Sequence, residues 1–317
     1  MTITQLEYVL AVDKFRHFGK ASKACHVTQP TLSMQLQKLE DELGIIIFDR
    51  SKSPTLPTME GAKLIEQARI VLREFNKISD IIQDDGESIT GDFKLAVIPT
   101  LAPYLLPLFL EPFTRKYPDL NLKIEEAKTE DIIQMLDKDE IDGGLLVTPL
   151  HEDRLIERVL FYEPFYVFAS KENDLYKKKK VKESDLNLDE IWLLNEGNCL
   201  RTQVLNLCSR EKEGLGKEKN IHFESGNLET LKNIVSSGDG FTLLPELATR
   251  NLNSNEIKML RKFSGNTPSR EVSLVHGRSF LKERIINALV DEIIHSLPDE
   301  VRSLKSNKLE IVEIFQR

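Results

Sequence analysis

Two cysteines nine positions apart, Cys199 and Cys208, are the residues whose type and spacing could support redox chemistry. Thiols can be oxidised to a sulfenic acid and then joined as a disulfide. Leu200, Val204 and Cys208 recur at four-residue steps, which predicts a helix. Nine steps at ~1.5 Å per residue separate the two Cα atoms by roughly 13 Å, whereas a disulfide needs them within about 7 Å. A bond between these thiols would therefore require the helix to unravel.

Ordinary packing is the alternative for both thiols, because free cysteine is among the most buried residue types. Cys208 shares its predicted helix face with apolar side chains, so we expect it to be buried and inert while the helix persists. Cys25 lies among small residues at a predicted helix–helix contact, where packing explains it. The histidines and cysteines show no metal-ligand spacing, so neither a metal site nor a cofactor is predicted.

The composition describes a soluble chain of two or three compact units. Its 317 residues are 40% hydrophobic and 30% charged, as in globular proteins. No run of about 18 apolar residues is present, so no membrane span is predicted. The N-terminus lacks the basic and apolar regions of a signal peptide, and three cysteines do not make a disulfide framework. We therefore expect a cytoplasmic protein.

The first sixty residues show three short helical patterns, over 4–14, over 19–25 and after Val27. The tight turn between the last two, with the final helix polar outward, predicts a helix-turn-helix. The net charge of −8 argues against nucleic acid for the chain as a whole. Residues 14–39 reverse this locally, because they carry five basic and no acidic side chains. A small basic face on an acidic body suits a protein that contacts DNA with one end.

The outward face of the third helix carries the hydroxyl, amide and cationic groups that base edges and phosphates accept. Thr28 is placed to cap this helix, and the β-prone stretch 45–50 with the loop after it predicts a wing over phosphates. The alternative is a generic three-helix bundle with a solvated face. The predicted contacts to double-stranded DNA are Thr28, Gln29, Pro30, Thr31, Ser33, Gln35, Lys38, Arg50 and Lys52.

A long helix is predicted over residues 58–84, capped by Thr58 and ended by Asp84-Asp85-Gly86. Its apolar residues alternate at steps of four and three, a heptad seam that favours a partner helix and hence a dimer. The alternative is a helix packed on its own domain. The seam consists of Leu64, Ala68, Val71, Phe75, Ile78 and Ile82.

Beyond Gly91 strands and helices alternate, with strand patterns at 93–98, 122–126 and 143–147. This rhythm predicts an α/β lobe with a mostly parallel sheet. A second lobe begins near Pro164, and the chain returns to the first with residues 270–275 and helix 279–296. Two lobes joined by two crossings, as in periplasmic binding proteins, form a cleft suited to a small-molecule or redox site.

The predicted fold is thus α/β with an all-α winged helix-turn-helix at the N-terminus, a long dimerisation helix and a two-lobed effector domain. The predicted boundaries are 1–58 for the DNA-binding domain, 59–87 for the linker helix, 88–300 for the effector domain (lobes of about 88–163 plus 268–300, and 164–267) and 301–317 for a C-terminal tail.

The N-terminal motif resembles the winged helix of LysR-type transcriptional regulators over Ala21-Ser-Lys-Ala-Cys-His-Val-Thr-Gln-Pro-Thr-Leu-Ser33 and Lys38-Leu-Glu-Asp-Glu-Leu-Gly44. Their effector-domain signature is similar to Gly240-Phe-Thr-Leu-Leu-Pro245. The hydrogen-peroxide-sensing members of that family resemble this chain over Gly197-Asn-Cys-Leu-Arg-Thr-Gln203, up to Cys208, and over Ile98-Pro-Thr-Leu-Ala-Pro-Tyr-Leu-Leu-Pro107. The likeness runs from residue 1 to about 296.

This resemblance implies that Cys199 reacts with hydrogen peroxide and that Cys208 is the resolving thiol. The peroxide-binding residues that it implies are Thr100, Thr129, Asn198, Gln203, Arg270 and Asp142. One position departs from the family pattern, because such sensors commonly have histidine where this chain has Asn198. Asparagine can donate a hydrogen bond or cap a helix, but it cannot carry positive charge. Homodimers or homotetramers, RNA polymerase and a thiol reductant are the further partners implied.

Because only a thiolate attacks peroxide, we expect Cys199 to have a lowered pKa. The expected causes are a helix N-terminus after Asn198 and a cation such as Arg201 or Arg270. The function expected is a peroxide-responsive transcription activator that is not an enzyme. A LysR-type regulator with a metabolite in the interlobe cleft is one alternative. A thiol peroxidase or reductase is the other, and the DNA-binding module weighs against it.

Overall fold

The computed structural model describes residues 1–83, 89–209, 226–277, 282–304 and 309–314. The chain divides into two compact units, Met1–Glu87 and Ser88–Arg317. Within the described ranges, no helix combines the length and apolar character that crossing a membrane requires.

The first unit is a helix-turn-helix with a short wing. Its core consists of side chains from four helices and from the start of the wing, including Val9, Leu32, Leu36 and Phe48. Its elements are α1 (Ile3–Phe15), α2 (Phe18–Ala24), α3 (Gln29–Leu43), β1 (Phe48–Asp49), β2 (Leu56–Pro57) and α4 (Met59–Gln83). The β1–β2 pair is antiparallel.

The wing is shorter than the β-prone stretch 45–50 predicts. Ile47 and Phe48 are buried in the core of the unit, and the amide of Ile47 donates to the buried carboxylate of Glu40 at 2.7 Å. This carboxylate takes the place of a strand partner, so regular pairing starts only at Phe48. The predicted caps are confirmed: Thr28 Oγ1 accepts from the amide of Thr31 at 3.3 Å, and Thr58 Oγ1 accepts from the amide of Gly61 at 2.9 Å.

The predicted seam of α4 divides into two parts. Ala68 is buried against Leu6 and Leu72 of its own unit, with Val71 packed beside them. Leu64 packs on the main core of the same unit, whereas Phe75 and Ile78 are exposed. The first half therefore follows the intramolecular alternative, and only the second half offers an open apolar surface. The side chain of Ile82 and the helix end at 84–86 lie outside the described part.

The second unit is built on long strands that run through both lobes. Its helices are α5 (Ala102–Lys116), α6 (Thr129–Asp137), α7 (Cys199–Ser209), α8 (Leu228–Ser237), α9 (Glu246–Thr249), α10 (Ser254–Ile257), α11 (Glu283–Ser296) and α12 (Asp299–Arg302). Its strands are β3 (Gly91–Val97), β4 (Leu120–Glu126), β5 (Gly143–Thr148), β6 (Leu155–Ala169), β7 (Lys180–Val181), β8 (Phe241–Pro245), β9 (Leu260–Phe263), β10 (Thr267–Gly277) and β11 (Leu309–Ile311). Residues 279–281 of the predicted last helix lie outside the described part.

The sheet is mixed, whereas a mostly parallel one was expected. Its strand order is β4-β3-β5-β10-β6-β9-β7, with β8 on β6 and β11 on β10. The pairs β3–β4 and β3–β5 are parallel, as the βαβ rhythm predicts. The long strands β6 and β10 pair antiparallel with each other, and β6 continues into the second lobe beside β8. These two strands are the crossings between the lobes, and their opposite directions make the sheet mixed.

The segment predicted as a tail contributes a strand to this sheet. Strand β11 pairs parallel with the start of β10, with Ser269 opposite Ile311. The amide of Val312 extends this pairing by donating to the carbonyl of Ser269 at 2.9 Å. Val312 is fully buried and Ile314 nearly so. Residues 309–314 are therefore part of the effector domain and not a detached tail.

Candidate redox site and DNA-binding surface

The reactive-cysteine candidate occupies the first position of α7, as predicted. Gly197 precedes it with φ of +77°, a conformation that favours glycine. Asn198 Oδ1 accepts from the amide of Leu200 at 3.2 Å, and the carbonyl of Asn198 accepts from the amide of Arg201 at 3.0 Å. Asn198 thus acts as the N-cap, one of the two roles considered for asparagine at this position.

A buried ion pair lies next to Cys199 and joins the two crossing strands. Arg270 of β10 and Glu163 of β6 are both fully buried, with Arg270 Nη2 at 2.8 Å from Glu163 Oε2. Arg270 Nη1 donates to the hydroxyl of Thr100 at 3.1 Å. The second Glu163 oxygen accepts from the amide of Leu247 at 2.7 Å, where α9 begins. Because each polar group has partners, the arginine is held in one orientation although no water reaches it.

The pKa of the Cys199 thiol is raised, contrary to the sequence-based expectation. Burial is the largest cause; the positive charge of Arg270, the hydroxyl of Thr129 and the backbone amides at the start of α7 act in the opposite direction. The stabilising groups are thus those expected, but desolvation outweighs them. The Thr129 hydroxyl lies beside the Cys199 thiol. It has no hydrogen-bond partner of standard length and angle among the described residues.

Cys208 is also buried, at the other end of the same helix. Burial raises the pKa of its thiol to about 12, and the negative charge of Glu183 acts in the same direction. Both cysteines are free thiols, nine positions apart within α7. At ~1.5 Å of rise per residue they lie too far apart to bond while the helix persists, as expected.

Gln203 and Asp142 were predicted to support peroxide binding, and the structure places them differently. Gln203 is fully buried one helical turn after Cys199. Its amide nitrogen donates to the carbonyl of Val312 at 2.7 Å, and its oxygen has no donor among the described residues. Asp142 precedes β5 and accepts from the amide of Lys94 near the start of β3. Thr100, in contrast, follows the C-terminal end of β3. Asp142 therefore lies toward the other end of the strands and is not brought to the thiol.

A pocket of about 540 Å³ opens onto Cys199. One wall comes from α6 of the first lobe with Thr129 and Glu130, and another comes from the start of α7 in the second lobe. Ile314 of the C-terminal segment completes the lining. Arg201 also lines the pocket, with its guanidinium donating to the carbonyl of Leu194 at 2.9 Å. The site is therefore assembled from both lobes and from the C-terminal segment.

Sequence reasoning missed Glu163 and residues 309–314. Glu163 had one detectable signal, since it is an acidic residue inside an otherwise apolar run, Leu160-Phe-Tyr-Glu-Pro-Phe165. A charge in such a run indicates a buried partner. Residues 309–314 offered only four apolar positions in a short segment, which is too little to predict where the segment docks.

On the first unit, the predicted DNA-contact side chains cluster at α3 and the wing. Thr28, Gln29, Pro30 and Lys38 are exposed, whereas Thr31, Ser33 and Gln35 are half-buried. The side-chain oxygen of Gln35 accepts from Gln5 at 3.3 Å. Lys52 is exposed at 62% beside Asp49.

The guanidinium of Arg50 is bound to other residues of the first unit. It donates to Glu40 at 2.6 Å and to the hydroxyl of Ser33 at 3.3 Å, and it lies over the ring of Phe18. The arginine therefore balances the buried charge of Glu40 and links the wing to α3. Its exposed edge remains the part that could face a phosphate.

Two family models together cover most of the chain. The model described as "Bacterial regulatory helix-turn-helix protein, lysR family" matches residues 3–62. The model described as "LysR substrate binding domain" matches residues 86–298. The chain belongs to the LysR family. It is accordingly a DNA-binding transcription regulator of that family, with the helix-turn-helix and two-lobed effector domain described above.

Similar regulators include several peroxide-responsive proteins. The hydrogen peroxide-inducible genes activator of Haemophilus influenzae is 35% identical over 298 residues, covering 92% of this chain and 97% of the relative. The DNA-binding transcriptional dual regulator OxyR of Escherichia coli is 37% identical over 248 residues, covering 78% and 80%. The solved structure of full-length OxyR C199D from Pseudomonas aeruginosa aligns with a TM-score of 0.75 at 34% identity, covering 92% of this chain and 97% of that one. This LysR-family chain is therefore OxyR-like in sequence and fold.

Proposed function

We propose that this LysR-family regulator senses hydrogen peroxide through oxidation of Cys199 and a disulfide between Cys199 and Cys208. The observation that supports this most directly is the setting of Cys199. A lone thiol stands at a capped helix start, beside the positive charge of Arg270 and the hydroxyl of Thr129. Positive charge, a hydroxyl and helix amides are the groups that stabilise a thiolate. A second thiol in the same helix supplies the resolving group.

The first step consumes one peroxide. The thiolate sulfur of Cys199 attacks one peroxide oxygen, the O–O bond breaks, and the other oxygen leaves as hydroxide, which takes up the thiol proton as water. Sulfur is oxidised to the sulfenic acid and peroxide is reduced. Because burial raises the pKa of Cys199, the resting thiol keeps its proton, and Arg270 and Thr129 stabilise negative charge as it forms.

The second step needs a change of fold. The sulfur of Cys208 attacks the sulfenic sulfur, the S–O bond breaks, and oxygen leaves as water with the Cys208 proton, which gives a disulfide. While α7 persists, burial keeps Cys208 protonated with a pKa of about 12 and far from Cys199. Unravelling removes both obstacles, because it shortens the distance and returns the pKa toward about 8.5. The disulfide would then hold the effector domain in the unravelled form.

One experiment tests both the chemistry and its consequence. The reduced protein is treated with one equivalent of hydrogen peroxide, its disulfides are mapped by mass spectrometry, and the footprint on DNA is compared between the two forms. We expect a Cys199–Cys208 disulfide and a changed footprint. A peroxide-treated protein without that bond, or with an unaltered footprint, rules out the proposal. Continuous peroxide turnover with an ordinary thiol reductant would instead indicate a peroxidase.

We also propose that the regulator binds DNA as a dimer through the second half of the α4 seam. Phe75 and Ile78 are exposed by 46% and 56%, which is unusual for large apolar side chains on neighbouring turns of one helix face. Phe75→Glu should lower dimer and DNA affinity together, and Phe75→Leu should preserve both. Sedimentation and DNA titration measure the two quantities; unchanged sedimentation of Phe75→Glu rules out this interface.

The metabolite-sensing alternative draws on one observation, the size of the pocket. About 540 Å³ lies within the range of small-molecule sites and exceeds the space that one peroxide needs. A metabolite sensor would still change its DNA footprint on induction in Cys199→Ser, because its signal does not pass through the thiol. Loss of the response in that variant excludes this alternative.

A further inference from the structure

The C-terminal segment 309–314, which we call the clasp, contacts two elements that carry residues of the redox site, strand β10 and helix α7. It pairs with β10 directly before Arg270, through Ser269 opposite Ile311. It also contacts α7, because the carbonyl of Val312 accepts from Gln203 at 2.7 Å. This segment lies outside the ranges that the family models match, 3–62 and 86–298.

Both α7 donors lie between the two cysteines. Gln203 donates to Val312, and Asn206 donates through Nδ2 to the carbonyl of Glu313 at 3.1 Å. Any unravelling that brings Cys208 to Cys199 must move residues 203 and 206 from their helical positions. The clasp therefore makes these hydrogen bonds with the helical form of α7 and loses them in the unravelled form.

The clasp also closes the surroundings of Cys199. Ile314 lines the pocket beside the thiol and is only 5% exposed. Val312 is fully buried between β10 and α7. A segment anchored by an apolar side chain and two backbone carbonyls is a docked element whose release exposes apolar surface.

We propose that the clasp is a positioning element of the redox site that stabilises the dithiol form by holding α7 helical. This inference rests on the proposed function, because it concerns the balance between Cys199 and Cys208 as dithiol and as disulfide. In the dithiol form the clasp bonds Gln203 and Asn206 and covers the pocket. In the disulfide form it is released from α7. Weakening the clasp therefore destabilises the dithiol form selectively and shifts the equilibrium toward the disulfide.

Three substitutions in the full-length protein isolate this effect. Val312→Asp places a charge in the buried anchor. Asn206→Asp removes one amide donor and sets an acceptor against the Glu313 carbonyl. Glu313→Ala is the matched control, because the exposed side chain of Glu313 is removed while its backbone carbonyl, the contacting group, remains.

The measurement is the dithiol–disulfide equilibrium of each variant in dithiothreitol redox buffers, with the disulfide first formed by the thiol oxidant diamide. We expect a shift of at least about tenfold toward the disulfide in Val312→Asp, because a charge is placed in a buried apolar site. We expect about threefold in Asn206→Asp, as loss of one net hydrogen bond predicts. Glu313→Ala should stay within about twofold of the parent. Equal equilibria in all three variants overturn the proposal. Should Val312→Asp fail to fold, Asn206→Asp decides alone.

Hydrogen exchange separates failure of the clasp from failure of the proposed function. In the parent protein, amides of 309–314 should exchange faster in the disulfide form than in the dithiol form, and equal rates contradict the clasp. If peroxide forms no disulfide but diamide does, the proposed function fails and the equilibrium test still applies. If neither oxidant forms the disulfide, hydrogen exchange is compared between the variants in the dithiol form. Faster exchange of amides 200–208 in Asn206→Asp than in Glu313→Ala supports the proposed role of the clasp, and equal exchange refutes it.

Discussion

Cys199 and Cys208 share a helix, yet their surroundings differ in one decisive respect. Both thiols are buried, and burial raises the pKa of each. Around Cys199, the charge of Arg270, the Thr129 hydroxyl and the helix amides oppose burial. Around Cys208, the carboxylate of Glu183 acts with burial. Exposure therefore does not distinguish the nucleophile from the resolving thiol, whereas the neighbouring charges do.

The largest effect should come from removing either thiol. Cys199→Ser should bind DNA as the parent does and show no response to peroxide, because no other thiol has groups that stabilise a thiolate. Cys208→Ser should still form a sulfenic acid at Cys199, without the intramolecular disulfide. A dione probe for sulfenic acid and peptide mass spectrometry measure both outcomes. Labelling of Cys208 in the Cys199→Ser protein would invert the assignment of the two roles.

The pH dependence of stability tests the environment of Cys208. Its pKa is about 12 in the folded dithiol form and about 8.5 in an unfolded chain. A raised pKa contributes stability that is fully present below the unfolded value and is lost as the pH rises toward the folded value. The free energy of unfolding should therefore fall above about pH 8.5, by at most ~1.4 kcal/mol per pH unit for this group. The raised pKa of Cys199 acts with the same sign.

Urea unfolding of the reduced effector domain within the full-length protein measures this slope between about pH 8 and 10. Cys208→Ser is the control, because serine does not titrate in that range, and its slope should be shallower than that of the parent. Identical slopes would mean that Cys208 titrates normally in the folded state, and the contrast between the thiols would then rest on Cys199 alone.

The third prediction concerns the charge beside Cys199. Removing Arg270 alone would leave Glu163 buried without its partner, which typically costs about 3–5 kcal/mol. The double variant Glu163→Gln/Arg270→Met removes both charges and avoids this penalty. Its rate of Cys199 oxidation at neutral pH should fall about tenfold, since one pKa unit corresponds to a tenfold change in thiolate. The deficit should shrink as the pH rises.

Glu163→Gln alone is the matched control for that experiment. This variant leaves Arg270 buried without its carboxylate, which should cost a similar amount of stability, so its folding is checked first by circular dichroism. Arg270 keeps its charge and its bonds to Thr100, so the oxidation rate should change less than in the double variant. Rates are best measured in a Cys208→Ser background, where only the first step occurs. A double variant that reacts at the parental rate at every pH would show that Arg270 does not stabilise the thiolate.

Features set by neighbours along the chain were predictable from sequence. The caps at Thr28 and Thr58 and the start of α7 at Cys199 depend on a few adjacent residues. The strands of the first lobe followed from the alternation of apolar segments in the same way. Those signals are local, and local hydrogen bonding decides them.

Features set by distant residues were not predictable. Glu163 meets Arg270 from 107 positions away, and Val312 meets Gln203 from 109 positions away. The direction of the Cys199 pKa was wrong because desolvation depends on how completely other elements cover the thiol. Asp142 was misplaced for a related reason, since the edge of the sheet it occupies depends on strand direction. The mixed sheet likewise follows from how β6 and β10 cross between the lobes.

The smallest effect should come from Asn198, the residue directly before Cys199. Its side chain caps α7 through the amide of Leu200, and a lost cap costs typically ~1 kcal/mol of helix stability. Asn198→Ala should thus shift the thiol pair about fivefold toward the disulfide, because only the dithiol form contains the capped helix. Asn198→Ser keeps a neutral capping oxygen and should stay near the parent in redox titration. If both variants match the parent, the cap does not bear on the switch. If both shift equally, asparagine acts on the thiol pair by something other than its capping oxygen, and the role of this position lies in the pocket.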